Sequence, residues 1–75
     1  MQLTLYTRPG CHLCDDIKEI LASVRKAEPF ELREVDISTD PALERRYGGD
    51  IPVLLINDAE AARHRIDEQE LLRKL

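Results

Sequence analysis

Apolar and polar positions change rhythm several times along the chain, and each rhythm predicts an element. Residues 2–6, Gln-Leu-Thr-Leu-Tyr, alternate polar and apolar and predict a strand with Leu3 and Leu5 on one face. Thr7-Arg8-Pro9-Gly10 predicts a turn, with Pro9 and Gly10 as breakers. From Cys11 to Lys26 the period lengthens: Leu13, Ile17, Ile20, Leu21 and Val24 form one helical stripe. Asp15 and Asp16 open that helix, and Arg25 and Lys26 close it, as the helix dipole favours. Residues 30–36 predict a second strand. Its parity changes between Phe30/Leu32 and Val35/Ile37, which suggests an edge strand or a bulge.

Asp40-Pro41 is an N-cap followed by proline at the first helical position, so a short helix is expected over 41–47, ending at Gly48-Gly49. Residues 52–56, Pro-Val-Leu-Leu-Ile, are continuously apolar and suit a strand covered on both faces. Asn57-Asp58 begins a turn, and a weak strand is expected over 61–66 with Ile66 as its large apolar residue. Asp67 and Glu70 form a capping-box-like start to a last helix, whose buried stripe would be Leu71, Leu72 and Leu75. The expected order is β-α-β-α-β-β-α, without repeat or linker.

The chain is 75 residues long, which suits one domain with a thin core and a shallow groove rather than a deep pocket. Leu, Ile, Val and Phe together exceed the roughly 20 % below which charged chains stay disordered. No apolar run approaches the ~18 residues needed to span a bilayer. The first ten residues lack a signal-peptide pattern, so a cytoplasmic monomer is expected, with no membrane partner. A net charge of −4, a pI near 5.1 and no tryptophan argue against a nucleic-acid partner held by charge or stacking.

Two cysteines stand three residues apart, Cys11 and Cys14. A bridge between them closes almost no loop in the unfolded chain, so it is a poor staple and the pair points to chemistry. At a helix N-terminus, backbone N–H groups stabilise an anion, which favours the Cys11 thiolate, the attacking form. One turn later, Cys14 is placed to resolve a mixed disulfide. Arg8 and a protonated His12 would add to the stabilising field, while Asp15 and Asp16 oppose it. Arg8 is also a candidate for a substrate carboxylate. A solvated turn at Arg8 and a plain surface histidine at His12 are the bland alternatives. A self-contained zinc clip would need four ligands, and Cys11, Cys14, His12 and His64 are scattered for that purpose.

The strand Leu3-Thr-Leu-Tyr, then Thr7-Arg-Pro-Gly-Cys-His-Leu-Cys14, then Ile51-Pro52-Val53, resembles the glutaredoxin-like branch of the thioredoxin superfamily. The resemblance covers nearly the whole chain. It implies an α/β thioredoxin-like fold with a four-stranded mixed sheet flanked by helices, the first two strands parallel and the last two antiparallel. It also implies thiol–disulfide oxidoreductase activity, with Cys11 as nucleophile, Cys14 as resolving thiol and Pro52 as a cis proline beside the substrate. Ile51 would present its backbone there to an extended substrate, as a strand edge does. The redox-active Cys11–Cys14 disulfide then needs no bound cofactor. A protein or small-molecule disulfide would be the substrate, and a dithiol system the electron source.

Three departures bear on the substrate. The central dipeptide is His12-Leu13, the first strand lacks the buried aspartate of thioredoxins, and Arg63-His64-Arg65-Ile66-Asp67 stands where glutaredoxins carry a Gly-Gly-x-Asp step for glutathione. Asp67 and Glu68 should repel a glutathione carboxylate, whereas Arg63 and Arg65 offer it cations. The alternative from another class is a metal or iron–sulfur carrier using the same thiols. A third reading is a redox-inactive interaction domain of the same fold.

Overall fold

A computed structural model describes all 75 residues. The elements are β1 (Gln2–Thr7), α1 (His12–Ala27), β2 (Glu31–Asp36), a 3₁₀ turn (Ile37–Thr39), α2 (Pro41–Tyr47), β3 (Val53–Ile56), β4 (Ala59–Arg63) and α3 (Glu68–Lys74). The four strands form one sheet in the order β2-β1-β3-β4. β1 pairs in parallel with β2, and the β1–β3 and β3–β4 pairs are antiparallel. The mixed α/β architecture is the expected one.

Two cores lie on the two faces of this sheet. Leu3, Leu5 and Leu54 pack with Ile17, Leu21 and Val24 of α1, Leu71 of α3, and Phe30 and Ile66. On the other face Val53 packs with Ile37, Tyr47, Ile51 and Cys14, and Tyr6, Leu43 and Leu55 lean on that group. This division explains the parity change in β2. Leu32 aligns with Leu3 and packs on the first core, whereas Val35 aligns with Tyr6 on the opposite face. β2 is therefore a regular edge strand. The one register shift lies between Leu54 and Leu55, in the β3–β4 pair.

Several boundaries move. α1 begins at His12, with Cys11 as its N-cap, and its fully buried stripe is Cys14, Ile17, Leu21 and Val24, with Leu13 only half-buried. The weak strand starts at Ala59 rather than 61 and stops before Ile66, which is buried in the first core. Asn57 and Asp58 both take positive φ (48° and 70°), the tight two-residue hairpin turn that asparagine and aspartate tolerate. In α3 Leu71 is fully buried, but Leu72 is 41 % exposed, because it stands one position off the Leu71–Leu75 face. Aspartates cap both later helices: Asp40 Oδ1 accepts from the N–H groups of Ala42 and Leu43, and Asp67 Oδ1 accepts from Glu70 N–H.

Candidate functional site

The turn between β1 and α1 aims the helix N-terminus outward. Gly10 takes φ +80°, a conformation that other L-residues enter at a cost of about 1–2 kcal/mol. The chain then enters α1 with Cys11 half-exposed at the cap and Cys14 only 1 % exposed one turn inside. Their Cα atoms are 5.2 Å apart, with the sulfurs at disulfide distance. Cys11 Sγ also accepts the Cys14 backbone N–H at 3.1 Å, so the helix N-terminus donates directly to this sulfur. Cys14 belongs to the same buried cluster as Ile51 and Val53, and Cys11 packs against that cluster.

The segment before β3 therefore faces the thiol pair. The Ile51–Pro52 peptide bond is cis, and Pro52 is fully buried. Neither the N–H nor the C=O of Ile51 enters a backbone hydrogen bond. Two surface grooves, of about 370 and 590 Å³, lie elsewhere: one over α1 and β2, the other beside Met1 and Phe30. The thiol pair thus opens on a shallow surface rather than a pocket, as a chain this short leads one to expect.

The family profile of the glutaredoxin-like domain (DUF836) matches residues 2–75. The chain belongs to this glutaredoxin-like family. It is 34 % identical to a glutaredoxin-like protein of Dictyostelium discoideum, over 95 % of this chain and 71 % of that protein. The solved structure of XcR50 from X. campestris is 38 % identical, with a TM-score of 0.83 over 96 % of this chain and 92 % of that one. Protein Ne2328 from Nitrosomonas europaea superposes with a TM-score of 0.84 at 33 % identity, covering 99 % of this chain and 89 % of that one. Thioredoxin 1 of Thermosipho africanus shares the fold, with a TM-score of 0.63 at 13 % identity.

In this glutaredoxin-like chain the site residues named from sequence do not all converge. Cys11, Cys14 and Ile51 come together in one cluster, Pro52 is buried between its members Ile51 and Val53 in the chain, and His12 is exposed on the first turn of α1. Arg8 is engaged elsewhere. Its guanidinium donates to Glu44 Oε1 at 2.8 Å and to the Gly48 carbonyl at 3.1 Å, which ties the turn to the C-terminus of α2. A cation at that end suits the helix dipole. Glu68 does not border the thiol groove as expected: it accepts from Ser23 Oγ at 2.7 Å, nine residues along α1 from Cys14.

Asp50 and Glu60, which carry no sequence signal, gather beside Ile51 with Arg63 and His64. Arg63, at the end of β4, donates to the carboxylates of Asp50 and Glu60, and His64 Nε2 lies 3.7 Å from Asp50 Oδ1. The Arg63 hydrogen bond holds the Glu60 carboxyl below its ordinary range, and Glu60 in turn raises the Arg63 guanidinium. No group of three or more His, Cys, Asp or Glu side chains converges as a metal site.

Proposed function

We propose that the protein is a thiol–disulfide oxidoreductase acting through Cys11 and Cys14. The observation that carries this reading is half-exposed Cys11 at the helix cap, its sulfur accepting the Cys14 N–H, with buried Cys14 one turn behind it at disulfide distance. In the reduced protein the Cys14 N–H and the helix N-terminus favour a Cys11 thiolate, since a hydrogen bond to a charged acceptor is stronger than to a neutral one. That thiolate attacks a substrate disulfide. A bond forms from Cys11 to one substrate sulfur, and the other sulfur leaves as thiolate. Cys14, having lost its proton to solvent, then attacks the Cys11 sulfur and expels the second substrate thiolate. Two electrons pass to the substrate, and the Cys11–Cys14 disulfide remains. A dithiol reductant returns the pair to its starting state by the same exchange.

Substrate choice follows from the surroundings. The unengaged N–H and C=O of Ile51 suit an extended peptide laid beside the thiols, as one strand pairs with another. Arg8 and Arg63 are committed to carboxylates of the chain itself, and side chains fill positions 63–66. Both features disfavour glutathione and favour a protein dithiol as electron donor, and a reducing compartment such as the cytoplasm would keep the pair supplied.

The test is stoichiometric. Reduced protein, freed of reductant and mixed with a disulfide-bonded peptide, is expected to reduce one peptide disulfide per Cys11–Cys14 pair. Cys11→Ser should abolish the reaction, and Cys14→Ser should stop it at a mixed disulfide. Full activity in Cys11→Ser overturns the assignment of roles. Inert thiols in a coloured or zinc-loaded protein would point instead to a metal or iron–sulfur carrier.

A further inference from the structure

The stretch from Gly48 to Pro52 has no regular secondary structure, yet it must carry the Ile51 backbone to a fixed place beside the thiols. Its start is tied to α2, where the Gly48 N–H donates to the Glu44 carbonyl and the Asp50 N–H to the Tyr47 carbonyl, and to Arg8 through the Gly48 carbonyl; its far end, next to Ile51, is fastened from the end of β4. The His64 N–H donates to the Pro52 carbonyl at 2.8 Å and to the Asp50 carbonyl at 3.3 Å. His64 turns its backbone to φ +67° in doing so, a strained conformation for a non-glycine residue. One residue earlier, the Arg63 guanidinium reaches the Asp50 carboxylate, while Glu60 on the same strand takes its Nε and its other amino group. Arg63 aligns with Val53 across the β3–β4 pair, so its Cα lies opposite a strand residue of the same core that buries Cys14 and Ile51.

We infer that Arg63 is a positioning residue for the exchange reaction: oriented by Glu60, it fixes Asp50 and with it the Ile51 backbone that receives an extended peptide disulfide. The inference rests on the oxidoreductase reading above. Arg63 and Asp50 are both partly exposed, and exposed ion pairs add little to global stability, so their effect is local. What they supply is registration of a loop, and small misplacements of a substrate-binding group are costly to rate. A small disulfide without a peptide backbone has no use for that registration, because it meets only the sulfur of Cys11.

The experiment compares two substrates on the intact chain, a disulfide-bonded peptide and hydroxyethyl disulfide. Arg63→Ala is expected to lower kcat/KM for the peptide about tenfold, mostly through KM, and to change the rate with hydroxyethyl disulfide by less than about twofold. Asp50→Asn, which removes the same ion pair from the other side, should reproduce this pattern even if Arg63→Ala folds poorly. Arg63→Lys, which keeps the charge and loses the fork, should fall between wild type and Arg63→Ala. Cys11 alkylation rate and thermal midpoint should stay at wild-type values in all three. Unchanged peptide kinetics in both Arg63→Ala and Asp50→Asn overturn the inference. Equal loss on both substrates, or loss in step with the thermal midpoint, also overturns it, since the pair would then be merely structural. A wild-type protein inert toward both disulfides defeats the oxidoreductase reading instead, and that result is distinct from the others.

Discussion

Replacing Tyr47 by alanine should remove the keystone of the core beneath the thiol pair. The ring is 7 % exposed, stacks on Tyr6 with centroids 4.5 Å apart, and carries the Arg46 guanidinium 5.3 Å over it. It packs in one cluster with Cys14, Ile51 and Val53. Truncating a buried aromatic to alanine costs about 3–5 kcal/mol. A chain of this length has a total stability of about 4–11 kcal/mol at ~0.05–0.15 kcal/mol per residue, so Tyr47→Ala should consume roughly a quarter of it or more. With about 4–8 °C per kcal/mol for a small domain, the thermal midpoint should fall by at least about 12 °C. Tyr47→Phe is the control: every buried side-chain polar atom has a partner, and the phenol oxygen, which makes no internal hydrogen bond, therefore reaches solvent. That variant should stay within about 0.5 kcal/mol of wild type. Urea and thermal unfolding followed by circular dichroism measure all three. A double-mutant cycle with Tyr6→Ala should return about 0.5–1.5 kcal/mol of coupling for the stacked pair. A loss below about 1 kcal/mol for Tyr47→Ala, a figure typical of surface change, would refute the placement of the ring in this core.

Other consequences are simpler to check. Gly10→Ala should destabilise the protein by about 1–2 kcal/mol in urea unfolding, since the φ of +80° is retained only with strain. The Asp67 carboxyl lies below its ordinary range, chiefly because it accepts the Glu70 backbone N–H, and Asp36 does so through Ser38. Each contributes stability that is present above the unfolded-state value of about 4 and is lost as pH falls through the lower folded value. Asp67→Asn keeps a capping side chain but not the titration, so the acid slope of the unfolding midpoint should flatten below about pH 4 while the midpoint at pH 7 changes little. Turnover of one disulfide substrate should be faster with a thioredoxin-type reductant than with glutathione; equal or faster turnover with glutathione would show that the side chains at 63–66 do not obstruct it.

Local chemistry made much of this legible from sequence. Pro9-Gly10, Asp40-Pro41 and Asp67 with Glu70 announce their turns and caps through residue type alone, and each occurs where expected. The thiol pair and Ile51-Pro52 were visible because two short motifs carry them. What escaped depends on the third dimension. The parity change at Phe30–Ile37 looked like a possible bulge because a single strand does not reveal that both faces of the sheet have cores. Arg8 looked available for a substrate because nothing in its neighbourhood of sequence announces Glu44, 36 residues away. For the same reason Asp50 carries no signal and Arg63 reads as a cation offered to glutathione: their pairing is hidden until β4 lies against the segment that precedes β3. Leu72 was misassigned because three leucines in a last short helix fit more than one face.

The central claim is that Cys11 and Cys14 form a reversible two-electron couple, and an equilibrium redox titration tests it most directly. The protein is incubated in glutathione buffers and in dithiol buffers of graded potential, quenched with acid and scored for free thiols by mass after alkylation. The account predicts one transition from dithiol to intramolecular disulfide, with about 30 mV per tenfold change in ratio, inside the range of about −120 to −270 mV spanned by thiol–disulfide oxidoreductases. Thiols that remain reduced across the whole range, or that oxidise only between molecules, would contradict it.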